Sequence, residues 1–230
     1  MHSVIIGGTS GIGLATARLL AARGNAVTIV GRDPAKLDAA VRDAGAGAKG
    51  EAADAGDRAV LDGLFARIGP VDHLVLAASG GAGAGPFNAV DPEGVRRGFE
   101  AKFWVHWNAA QSVLPHLAPD GSITLVTAAS SRLANPGTAG LAAINGALER
   151  MVPTLARELA PRRVNAVSPG VIDTAWWSDK PVALFEAESR KAPLARAGQA
   201  EEVADAIAFL IGNRFVTGVI LDVDGGLHLT

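Results

Sequence analysis

Ser3-Val4-Ile5-Ile6-Gly7-Gly8-Thr9-Ser10-Gly11-Ile12-Gly13 stands almost at the start of the chain, and its reading decides the fold. A short β-branched run gives way to a glycine-rich stretch. Helical spacing follows at once, with Ile12, Ala15, Leu19 and Ala22 on one face of the segment Ile12 to Ala22. The glycines let the chain turn tightly and leave its backbone open to close approach. A helix starting here offers unpaired N–H groups and a partial positive charge to the turn, which suits a diphosphate. Strand, glycine turn and helix predict the first crossover of a nucleotide-binding sheet, with Gly7, Thr9, Ser10, Gly11, Ile12 and Gly13 as its phosphate cradle.

The same alternation continues along the chain. Apolar runs bounded by Gly, Pro or Asp occur at Val4–Ile6, Ala26–Val30, Leu74–Ala77, Ser122–Thr127, Arg163–Val167 and Gly218–Val223, with a weaker one near Lys49–Ala53. Helical spacing fills the intervals Ala35–Ala44, Arg58–Ile68, Glu93–Leu117, Leu141–Leu159 and Glu201–Ile211. Continuous apolar strands separated by helices predict a parallel sheet covered on both faces. Right-handed crossovers make the expected fold α/β and Rossmann-like: a doubly wound parallel sheet of about seven strands, in a single domain spanning residues 1–230.

Composition narrows the function classes. A formal charge of −2 and the lack of a basic stripe argue against nucleic acid as a partner. With no cysteine, disulfides, thiolate metal sites and thiol nucleophiles are excluded. His2, His73, His116 and His228 are scattered singly, so no metal site is expected. The chain enters a strand within three residues, with no charged leader or long apolar stretch. The expectation is therefore a cytoplasmic protein that engages no membrane.

The second strand ends Val30-Gly31-Arg32-Asp33. An acidic residue at that tip would take the ribose 2′-hydroxyl of NAD, whereas Arg32 suits a 2′-phosphate, so NADP is favoured over NAD. Asp33, followed by Pro34, reads as the cap of the next helix.

At this point the chain resembles the short-chain dehydrogenase/reductase family over essentially its whole length. Gly7–Gly13 is similar to that family's TGxxxGIG, with Ile6 in place of the threonine. Asp54-Ala55 matches its adenine-contacting pair, and Ala77-Ala78-Ser79-Gly80 stands where the family has NNAG. The segment from Arg163 to Thr174 is close to RVNAVxPGxxxT, and Asp222-Val223-Asp224-Gly225-Gly226 fits the family's ending. The resemblance implies that Asp54, Ala55, Ala78 and Ser79 contact the cofactor, and that Pro169, Gly170, Ile172 and Thr174 hold its nicotinamide end.

The departures fall where the chemistry should be. The family projects a tyrosine and, four residues on, a lysine from one helix face. Leu141 and Asn145 occupy those positions here, Ala128 replaces the activating serine, and Lys102 stands where an asparagine is usual. The chain contains no tyrosine at all. Lys102, Arg132 and Ser130 remain as candidate catalytic residues: Lys102 as a half-buried ammonium able to donate a proton, Arg132 as a polariser, Ser130 as a carbonyl-orienting hydroxyl. His106, on the same helix face as Lys102, reads as a packing histidine. Trp176-Trp177 open a segment that covers the substrate in the family.

Two functions are compatible with this pattern. One is a noncanonical NADP(H)-dependent oxidoreductase acting on a small apolar or cationic, imine-type molecule that needs no phenolic acid. The other is a catalytically inactive dinucleotide-binding sensor or partner subunit. The family resemblance also implies a homodimer or homotetramer.

Overall fold

The computed structural model describes residues Met1–Thr230. Seven parallel strands form one sheet: β1 (His2–Ile6), β2 (Ala26–Gly31), β3 (Ala48–Ala52), β4 (Val71–Leu76), β5 (Leu117–Val126), β6 (Arg163–Pro169) and β9 (Ile220–Val223). Their order is β3-β2-β1-β4-β5-β6-β9. A separate two-residue pair joins β7 (Ile172–Asp173) to β8 (Gly198–Gln199). Strand order reverses between β1 and β4, and a doubly wound sheet opens its ligand crevice at such a reversal.

Pleating divides the core in two. Val4 and Ile6 of β1 enter one apolar cluster, and Ile5 enters the other. The first cluster packs beneath α3 (Arg58–Ile68), α5 (Val105–Val113) and α6 (Ala139–Glu158). The second packs beneath α1 (Gly11–Ala22), α2 (Pro34–Ala44) and α8 (Ala200–Gly212). Each face is thus dry, which explains why the strands read as unbroken apolar runs.

Two expectations are corrected, and one helix carries no sequence signal. The single helix expected over Glu93–Leu117 is three pieces: α4 (Pro92–Gly98), a π-helical turn (Phe99–Trp104) and α5. Its end comes early because Pro115 lacks an N–H and crowds the preceding turn, so Leu114 and His116 make only short-range turn bonds and β5 begins at Leu117. The last strand begins at Ile220 rather than Gly218, since Gly218 has φ +79° and lies in a bend. Finally, α7 (Val182–Ser189) had no sequence signal, because its apolar residues show no one-sided spacing and Val182 and Leu184 stay exposed.

Candidate active site

The glycine turn after β1 is tightly specified. Gly7 has φ +81°, and a Cβ there would lie 2.5 Å from Ala78 N. A Cβ on Gly13 would lie 2.3 Å from Gly7 O, so the turn packs against its own helix only without side chains. Ser10 precedes α1 in an extended conformation and its side chain caps nothing. By contrast, Asp33, Asp57 and Asp91 each accept two N–H bonds at the starts of α2, α3 and α4. The first-turn N–H groups of α1 are therefore left for another acceptor, and a diphosphate fits both the space and the dipole.

A cleft of about 970 Å³ runs from this turn along the carboxyl ends of the strands. Every residue expected to hold the cofactor lines it: Gly7, Thr9, Ser10, Gly11, Ile12, Gly13, Arg32, Asp54, Ala55, Ala78, Ser79, Pro169, Gly170, Ile172 and Thr174. At one end Arg32 is joined by Lys36 from the first turn of α2, a cation the sequence reading passed over. Thr174 comes against the glycine turn itself, since a Cβ on Gly11 would lie 3.4 Å from its Cγ2. The Thr174 hydroxyl accepts from Trp176 N at 3.4 Å, starting the turn that brings Trp176 and Trp177 to the cleft. Lys180 Nζ lies 3.2 Å from the Trp176 ring centroid, so this aromatic cover already carries one of the chain's own ammonium groups.

Lys102 sits on the π-helical turn, lines the cleft and is only 6% exposed. Wide turns of this kind often mark functional positions. Its Nζ donates to the backbone oxygen of Thr127 at 3.1 Å. Burial pushes its pKa down to about 8, with the Glu149 carboxylate pulling the other way. His106 is fully buried, with Nε2 3.0 Å from Ala78 O. Burial first, then the Lys102 charge, lowers it to about 3, so it is neutral and braces the strand end.

Ala128, Leu141 and Asn145 all line the cleft near Lys102. Asn145 is buried and donates to Leu141 O at 2.9 Å and to Ser130 Oγ at 3.2 Å. Ser130 thus reaches the cleft with its hydroxyl partly engaged. Arg132 is corrected: it is not among the cleft-lining residues. Its guanidinium bonds Asp222 at 3.0 Å through Nη1 and lies 3.4 Å from Glu149 through Nε, which ties it to the end of β9. Glu149, which carries no signal in the sequence, is buried on α6 and bonded to Thr127 and Ser131. No local motif announces a contact between residues so far apart in the chain.

Against the scattered histidines of the sequence, the fold gathers Asp222, Asp224 and His228. Their groups already have partners, Arg132 on Asp222 and His228 with Gly226 N on Asp224.

A doubly wound parallel sheet with an uncapped helix at its first glycine turn defines a dinucleotide-binding α/β protein. Within that class, the chain belongs to the short-chain dehydrogenase/reductase family. A family model described as enoyl-(acyl carrier protein) reductase matches residues 7–228. A cis-4-hydroxycyclohexanecarboxylate dehydrogenase of Sinomonas cyclohexanicum is 36% identical, over 97% of this chain and 95% of its own. An L-xylulose reductase of Homo sapiens is 34% identical, over 97% and 94% respectively. Among solved structures, a small-chain dehydrogenase in complex with NADPH superposes with a TM-score of 0.86 at 33% identity, covering 100% of this chain and 99% of that one.

Proposed function

We propose that this protein is an NADP(H)-dependent oxidoreductase that reduces a small apolar carbonyl compound with Lys102, rather than a tyrosine, as proton donor. The observation that carries the reading is Lys102: an ammonium buried in the cleft, with no carboxylate at ion-pair distance and a pKa near 8. An acid titrating near the working pH is suited to general-acid catalysis.

In this reading the α1 N-terminus and the Gly7–Gly13 turn hold the diphosphate, and Asp54 and Ala55 border the adenine. Arg32, helped by Lys36, pairs with the 2′-phosphate. Ala78, Ser79, Pro169, Gly170, Ile172 and Thr174 orient the nicotinamide half, and the bound cofactor supplies the hydride. Lys102 Nζ gives its proton to the oxygen of the nascent alkoxide and becomes a neutral amine. Ser130 Oγ orients the carbonyl. Leu141, Ile144, Trp176 and Trp177 surround the substrate's apolar body and exclude water. A permanently cationic imine fits less well, because the Lys102 ammonium would repel it in a low-dielectric site. Relatives that act on a cyclic alcohol and on a sugar ketone support a small carbonyl substrate.

A second reading, a dinucleotide-binding protein without turnover, is favoured by Ala128, Leu141 and Asn145, none of which can replace the family's serine, tyrosine and lysine. The test is NADPH oxidation against a panel of cyclic and aliphatic ketones, with Lys102→Met as control. Loss of about 10²–10⁴-fold in the variant supports the proton-donor role. Binding of NADPH without reduction of any ketone would favour the second reading.

Residues 1–230 act as a single dinucleotide-binding unit, in the cytoplasm and as a homodimer or homotetramer. No helix is long and apolar enough to cross a membrane.

A further inference from the structure

We infer that Glu149 is a positioning residue for Lys102: acting through Thr127, it holds the ammonium in place and keeps it charged inside the cleft. The inference rests on the proposed proton-donor role of Lys102 and assigns the group that sustains it.

A chain of contacts joins the two residues. Lys102 Nζ has one hydrogen bond, to Thr127 O at 3.1 Å. The hydroxyl of that same Thr127 lies 2.9 Å from Glu149 Oε1 and 3.0 Å from Val167 O, its one proton shared between these two acceptors, and Ser131 Oγ donates to Glu149 Oε1 at 2.7 Å. Glu149 is 7% exposed, so its charge acts through protein rather than water. A buried carboxylate is costly unless it is paired and hydrogen-bonded, and Arg132, Thr127 and Ser131 meet that need for Glu149.

Other charges around Lys102 do not do the same work. His106, one turn along, is neutral, and Glu100 on the same turn as Lys102 is exposed at the rim. Arg132 is shared between two carboxylates, with Nε 3.4 Å from Glu149 and Nη1 bonded to Asp222 at 3.0 Å, so it neutralises Glu149 only in part. Glu149 from α6 is therefore the one buried negative charge in the neighbourhood. Burial drives a lysine toward the neutral amine, and a nearby carboxylate opposes that drift. The two neighbours of Lys102 thus have opposite expected effects. Removing the Glu149 charge lowers the pH at which Lys102 loses its proton. Removing Arg132, which partly neutralises Glu149, raises it.

The test is competitive labelling of the full-length protein with trace acetic anhydride across pH, following the Lys102 peptide by mass spectrometry. This reads the amine without requiring turnover. Glu149→Gln is expected to move the Lys102 midpoint down by about one pH unit, and Arg132→Gln to move it up. The high-pH limb of NADPH-dependent reduction should move with it in each variant. If Glu149→Gln does not fold, Arg132→Gln carries the test alone, since it leaves the carboxylate in place and must shift the midpoint upward. Midpoints that stay put, or that shift in the same direction in both variants, overturn the inference. Unchanged turnover in Lys102→Met would instead remove the proton-donor reading. Turnover lost in Lys102→Met with unshifted midpoints would remove only the part assigned to Glu149.

Discussion

Gly13 and Gly7 meet so closely that a methyl group on Gly13 would stand 2.3 Å from Gly7 O. Both partners in that contact are backbone or backbone-bound, so neither can swing aside. Gly13→Ala is expected to push α1 away from the turn, weakening NADPH binding at least about 10-fold and stability by about 1–3 kcal/mol. Calorimetric titration and urea unfolding of the variant check both effects.

Arg32 governs coenzyme choice in the proposed reading. A charge-assisted contact to phosphate contributes about 1.5–3 kcal/mol, so Arg32→Ala should weaken NADPH binding about 10–100-fold and leave NADH binding nearly unchanged. Side-by-side fluorescence titrations decide this. Equal losses for both coenzymes would remove the 2′-phosphate assignment.

Arg163 stabilises the fold away from the cleft. Its Nη1 donates to Leu210 O at 2.6 Å and Asn213 O at 3.0 Å, and its Nη2 to Ile211 O at 2.8 Å, so one side chain satisfies carbonyls at the end of α8. Arg163→Ala strands those buried acceptors and should cost about 3–5 kcal/mol in urea unfolding, with little change in coenzyme affinity for the folded fraction.

His73 links stability to pH. It is buried on β4, with Nδ1 2.9 Å from Ser122 Oγ and Nε2 without a partner. Burial lowers its pKa from 6.5 to about 4. Between those values the unfolded chain binds a proton that the native state refuses, so stability is fully present above about pH 6.5 and falls as the pH drops toward about 4. The loss from this residue is of order 3 kcal/mol, and His106 adds to it in the same direction. Unfolding midpoints at pH 7 and pH 5 should differ less in His73→Gln than in the parent protein.

Much of this architecture can be read directly from residues because its causes are local. The α3 boundaries at Arg58 and Ile68 follow from the Asp57 cap and the turn at Gly69, both visible in sequence. The fifteen positions expected at the cofactor follow strand ends or open the first helix, where glycines and a threonine act through backbone geometry, and all fifteen line the cleft. The π-helical turn was not legible, because apolar spacing continues through Phe99–Trp104 and nothing in the residues marks the extra backbone width. Nor was the fate of Arg132, whose partner Asp222 is ninety positions away. The Thr127–Glu149 bond likewise depends on how β5 and α6 come together. Side chains that owe their environment to tertiary packing are where residue-by-residue reasoning ends.

The most direct test is isothermal titration of the purified protein with NADPH at neutral pH. Saturable one-site binding tighter than about 1 mM, weakened in Gly13→Ala and in Arg32→Ala, is the predicted result. No binding of NADPH or NADH at concentrations near 1 mM would contradict the coenzyme cleft and every role assigned around it.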